Sequence, residues 1–210
     1  MFQLVLLAII FACVALTFNK GLWRNLITWV NVMFAALLAT NYFEPLAEFF
    51  KSKDVTYDFM VDLISVWLIF AVAMLMLRIF TDRLTTRKVR FIRPVDLGFG
   101  IFFSLWTGWI VACFAAFTLH VAPLPRDAVA ASPAGSNFIF SPDRLWLGFS
   151  QAQSYRALGR ADSAEVPDYV FDPKGDFILR YAASRAKLEK LKDKFPDTTF
   201  RFLQGRNTNL

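Results

Sequence analysis

Chemistry needs polar groups that can act together, and this chain offers few of them. His120 is its only histidine. It stands at the end of an apolar run before Pro123 and Pro125, without a sequence neighbour that would make it a base or a ligand, so it reads as an interfacial polar residue. Asp62 lies about one turn inside another apolar stretch, where an ionisable side chain is a candidate for transport or proton relay. Its depth also lets it reach the interface, so a structural role is the simpler reading. Asp168, Asp172 and Asp176 are spaced four apart and invite a calcium hypothesis. They lack the ligand density and closing Glu of an EF-hand loop, and acidic residues at a helix entry explain them better. Cys13 and Cys113 both fall in apolar runs with no CxxC or Cys/His spacing, so they read as small packing residues. There is no G-x-S-x-G, H-E-x-x-H, Walker A or Rossmann glycine pattern. The expectation is therefore a protein that is not an enzyme, with catalytic, cofactor-binding and metal sites all set at none. A membrane enzyme dependent on His120, Asp143 or Asp172 ranks last.

The elements that carry these residues are mostly membrane spans. The chain has 210 residues, 56% of them apolar and 17% aromatic, an excess over what soluble domains of this length carry. Leu97 to Leu119 holds no charged residue, and at about 1.5 Å per residue it is long enough to cross a hydrocarbon core of about 30 Å. Similar runs predict an all-α integral membrane protein with four transmembrane helices, at about 2–18, 22–43, 59–80 and 97–120. The first lacks the basic start and small-x-small end of a cleaved signal peptide, so it reads as a retained span. Glu44 to Asp58 reads as a mixed-charge link, with Pro45 after the helix end. Three parts follow: a four-helix membrane domain (1–122), a Pro/Ala/Gly/Ser-rich linker (123–140) and an extramembrane helical tail (141–210). The tail is an aqueous region with two amphipathic helices. One starts at Ser141-Pro142-Asp143, with Ser as N-cap, and runs to about Gly159. The other follows the turn at Asp172 to Asp176 and runs from Phe177 to Phe195.

Orientation follows from the loops. Six Lys/Arg lie from Arg78 to Asp96, counting Arg78, and Arg83, Arg87, Lys88, Arg90 and Arg93 are the topology-setting residues. By the positive-inside rule they place loop 81–96 in the cytoplasm and both termini outside. The net charge of +6 sits largely beside apolar spans, so nucleic acid is not an expected partner; the lipid bilayer is.

The fourth span carries small residues four apart at Gly100, Ser104, Gly108, Ala112 and Ala116. Small residues let helix backbones approach in lipid, where no hydrophobic drive brings helices together and close packing must do so. This stripe is the helix-packing surface, either against the second or third span of the same chain or in self-association through helix four. Phe99, Phe103, Trp106, Ile110 and Phe117 lie largely opposite and read as a lipid face.

Asn19-Lys20-Gly21-Leu22-Trp23-Arg24-Asn25-Leu26, then Asn41-Tyr42-Phe43-Glu44-Pro45-Leu46-Ala47, then Asp96 followed by Gly100 and Gly108 resemble the CvpA (colicin V production protein) family over roughly residues 1–122. Where that family has Asp-Arg at the start of span four, this chain has Asp96-Leu97; Ser104 replaces the middle glycine, and Gln3 stands where an acidic residue is often found. The resemblance implies a multi-pass protein of the bacterial inner membrane, non-enzymatic, tied to toxin production or export and to envelope maintenance as an interaction or scaffold component. Gly21, Arg24, Asp96, Gly100 and Gly108 would be its family-type motif, with packing and loop-orienting roles. An envelope protein bound through the C-terminal tail is the partner this reading expects. The alternative is a small oligomeric channel or transporter subunit with Asp62 or Asn31 lining a path.

Overall fold

The computed structural model describes residues 2–52, 58–85, 92–123, 139–155 and 170–194. They form six α-helices: α1 (Phe2–Thr17), α2 (Leu22–Lys51), α3 (Asp58–Leu84), α4 (Arg93–Val121), α5 (Pro142–Ser154) and α6 (Phe177–Lys194), with one 3-10 turn, Phe18–Lys20, between the first two. α1 together with the turn that follows it (Gln3–Lys20), α2, α3 and α4 are each long and apolar enough to cross a membrane. The described residues are thus all-helical, and the chain is a multi-pass membrane protein.

The four spans are not equal. α2 and α4 form the interior, while α1 and α3 flank them and leave most of their surface outward. Leu4, Phe11, Ile64, Val72, Met76 and Phe80 are among the large apolar side chains exposed on those two helices. In water such a surface would drive aggregation, whereas in a bilayer it is solvated by acyl chains. α1 packs along α4 through Leu6, Ile9 and Ile10 against Ala112, Ala115, Ala116 and Leu119. α3 packs chiefly on α2.

α2 is longer than the expected 22–43. It runs through Pro45 to Lys51, although a proline removes the N–H that would bond to the carbonyl four residues back. Tertiary packing on both sides of the proline compensates: Phe43 and Ala47 are buried, and Arg180 of α6 donates to Glu44 Oε1 at 3.2 Å. The sequence signal for a break at Pro45 was local, whereas this support comes from residues distant in the chain, Phe117 of α4 and Phe177 and Arg180 of α6.

The described part of the tail joins the same interior. Trp146, Leu147, Phe171, Phe177 and Ile178 share one apolar cluster with Val32, Phe43, Phe114 and Phe117. The Phe117 and Phe177 rings stack at 5.3 Å, and Phe43 meets both of them edge-on. Ser141 precedes Pro142 at the first turn of α5, but it is left-handed at φ 45° and makes no side-chain cap. α5 ends at Ser154, before the expected Gly159.

Candidate functional site

Two polar locks hold α4, one near each end, and both are built from residues that are far apart in sequence.

The first lies near the start of α4. Gly21 ends the turn between α1 and α2 with φ 79° and ψ 164°, a region open essentially to glycine alone. That turn aims the first N–H of α2 at α4, and Leu22 N donates to Asp96 Oδ1 at 2.8 Å. A helix start has unsatisfied N–H groups and a partial positive charge, so a carboxylate there acts as a cap supplied by another helix. One turn further on, Asn25 Nδ2 donates to both the Gly100 carbonyl and Ser104 Oγ at 2.9 Å. The Ser104 hydroxyl in turn donates to the Gly100 carbonyl at 2.8 Å. Asn25 and Ser104 are fully or almost fully buried, where hydrogen bonds have no water to compete with them. A Cβ added at Gly100 would lie in ordinary contact with the backbone of Gly21 and Leu22 at 3.6 Å, so the two helices meet closely here without leaving a void.

The stripe therefore has an occupant within the chain. Its first members, Gly100 and Ser104, face the start of α2, while Gly108, Ala112 and Ala116 face α1. A Cβ on Gly108 would sit 3.2 Å from both Cα and O of Ile10, a closer approach than the one at Gly100. The expected lipid face opposite is only half exposed. Phe99 and Trp106 are exposed, but Ile110 and Phe117 are buried and Phe103 packs its ring 5.8 Å from Trp29. The reason is that α2 covers one flank of α4 and the tail helices cover its last turns, an arrangement that a helical wheel of α4 alone does not contain.

The second lock closes the other end. His120 is fully buried, with Nε2 2.8 Å from Asp143 Oδ2, itself fully buried in α5. Arg144 Nε approaches the same carboxylate oxygen at 3.6 Å. Arg185 of α6 donates from Nη1 to the His120 carbonyl at 3.1 Å, so it satisfies one of the carbonyls left open at a helix C-terminus and meets its partial negative charge. Trp146 Nε1 donates to Thr40 Oγ1 at 2.9 Å, tying α5 to α2. The partner that His120 lacked in the sequence is 23 residues away, across Pro123 and Pro125.

Asp172 opens α6. Its Oδ1 accepts the N–H groups of Asp176 and Phe177 at 2.9 and 3.1 Å, and Arg180 lies beside it. Burial pushes this carboxyl above its ordinary range, against the opposite pull of the two N–H donors and Arg180. Asp168 lies outside the described residues, and among the described residues no three His, Cys, Asp or Glu converge as a metal ion would require. The two residues considered for a path are engaged elsewhere. Asp62 pairs with Lys51 at 2.8 Å and Asn31 donates to Thr81 Oγ1 at 3.0 Å. Arg24 gives its carbonyl to Thr28 Oγ1 at 2.8 Å. Arg83 and Arg93 lie at the facing ends of α3 and α4, while Arg87, Lys88 and Arg90 lie outside the described residues.

Sequence reasoning singled out Gly21, Asp96, Gly100, Ser104 and Gly108. It missed Asn25 as their bridge, although an Asn four residues after a loop glycine, inside a span, was a visible signal. It also missed the pairing of Asp143 and Arg185 with the end of α4.

The family model described as colicin V production protein covers residues 2–139 of this chain. No curated protein and no solved structure matches it.

Proposed function

This chain belongs to the colicin V production protein family, and from that premise we propose that it serves the production or export of a colicin V type toxin as a non-enzymatic membrane scaffold. The observation that carries the reading is how the polar groups of the spans are used. Asp96, Asn25, Ser104 and Asn31 each join one segment of the bundle to another, and these bonds hold the helices in register, Asn25 acting through its Nδ2 while its buried Oδ1 has no partner. Buried polar groups satisfied in this way specify an arrangement rather than a reaction. A scaffold needs such a fixed arrangement in order to present its loops and tail to an envelope partner.

The direct test is genetic. In bacteria that carry a colicin V determinant and lack their own family member, expression of this chain is expected to restore toxin yield. Yield no higher than in the empty-vector strain, with the protein present in the membrane, would overturn the proposal.

Orientation belongs to the same reading. The basic loop between α3 and α4 is placed in the cytoplasm of a bacterial inner membrane and both termini outside, because Lys and Arg resist translocation. A cysteine introduced at Ser184 should react with an impermeant thiol reagent once the outer membrane is opened, and one at Thr86 should react only after the inner membrane is breached. The reverse pattern would invert the topology.

A further inference from the structure

The tail helix α5 carries two charged residues, Asp143 and Arg144. Asp143 is fully buried and the Arg144 side chain is 17% exposed. The side that α5 turns outward is made of Leu145, Gly148, Phe149, Ala152 and Tyr155, and Ile139 and Phe140 just before it are also exposed. None of these seven residues is charged. A helix lying on a protein in water shows the opposite pattern, with its charges outward and its apolar residues inward.

Its depth agrees. The Phe140 ring lies 6.5 Å from that of Trp109, and Trp109 is ten residues inside the end of the uncharged run at Leu119, about 15 Å along the helix. Trp146 meets the Phe114 ring at 5.9 Å and Asp143 meets His120. The first turns of α5 thus stand beside the last half of the uncharged part of α4. The outward side is continuous, through Phe140 and Trp109, with the exposed apolar side chains of α4 at Leu105 and Trp106.

We propose that α5 is seated in the lipid bilayer, in the leaflet where α4 ends, with Phe140, Leu145, Phe149 and Ala152 facing acyl chains. Nonspanning helical backbone is tolerated there because its N–H and C=O groups bond within the helix, and its charges are paired, Asp143 with His120 of α4 and Arg144 with Asp143 beside it. The segment is a membrane-seated wedge at the end of the four-helix bundle, and the aqueous part of the tail begins after it. Hydrophobic contact with lipid then adds to the His120–Asp143 lock in keeping α5 on α4.

Spin labelling tests this in the full chain reconstituted in phosphatidylcholine vesicles. With Cys13 and Cys113 replaced by Ala, a nitroxide is placed at Phe149→Cys and, in a separate protein, at the small exposed position Ala152→Cys. Leu105→Cys serves as the lipid reference and Lys174→Cys as the aqueous one. At 149 and 152 the ratio of relaxation by oxygen to relaxation by a water-soluble nickel chelate is expected to be several-fold above that at 174 and close to that at 105. A ratio matching Lys174 at both positions would overturn the proposal in favour of water. Low access to both reagents at both positions would overturn it in favour of a protein cover, such as a second copy of the chain.

Discussion

Asp143→Ala is expected to destabilise the folded protein by about 3 to 5 kcal/mol, the usual cost of breaking a buried pair by removing one partner. The carboxylate meets His120 at 2.8 Å with both side chains fully out of solvent, and Arg144 stands 3.6 Å from the same oxygen. After truncation the imidazole keeps its burial and loses its Nε2 partner, while the cavity left behind is too enclosed for the bundle to fill easily. His120→Ala should cost a comparable amount for the converse reason. The double variant His120→Phe with Asp143→Leu should recover much of the loss, because an apolar pair of similar volume needs no desolvation to be offset. The measurement is the midpoint of thermal unfolding in mild detergent, followed by size-exclusion fluorescence. Two single variants with wild-type midpoints would mean that the contact does not hold α5 in place.

Gly21→Ala is the second large effect expected, and it arises at the opposite end of α4. At φ 79° and ψ 164°, an alanine carries strain of about 1 to 3 kcal/mol. Its Cβ would also sit 3.1 and 3.2 Å from the two oxygens of Asp96, so the carboxylate must give by a few tenths of an ångström, which weakens its bond to the Leu22 N–H. Loss of a hydrogen bond to a charged group costs about 1.5 to 3 kcal/mol. Asp96→Ala removes that bond without the backbone strain and should be the milder change. Combined, the two substitutions should cost less than their sum, since the crowding at Asp96 can occur only once. Hydrogen exchange at Leu22 offers an independent readout, with faster exchange in both single variants. Full additivity would show that the glycine and the carboxylate do not act on each other.

Much of this arrangement was visible in the sequence, and the limits have physical causes. The four spans follow from length and lack of charge, which the bilayer makes nearly sufficient evidence. Gly21 and Asp96 stood out as a loop glycine and as the acid just before an uncharged run, and Gly100 and Gly108 as small residues at a regular spacing within it. Their geometry was not legible, since a cap donated from one helix to the start of another leaves no local trace. The continuation of α2 through Pro45 was hidden for a similar reason: the propensity argument is local, and the packing that overrides it comes from α6. His120 read as solitary because sequence proximity says nothing about a residue that folds back from α5. The uncharged side of α5 was present in the sequence as Leu145, Gly148, Phe149 and Ala152. It became interpretable only when Asp143 and Arg144 were seen to turn inward.

The central claim is that the polar residues of this chain hold a scaffold together and perform no reaction. Its most direct test is toxin yield per folded molecule, measured in cells that carry the colicin V determinant and depend on this chain. Gly21→Ala, Asp96→Ala and Asp143→Ala are predicted to lower yield only as far as they lower the amount of folded protein in the membrane. His120→Gln and Asp172→Asn, wherever they fold to wild-type levels, are predicted to keep full yield. A well-folded His120→Gln or Asp172→Asn protein that supports no toxin production would contradict the account.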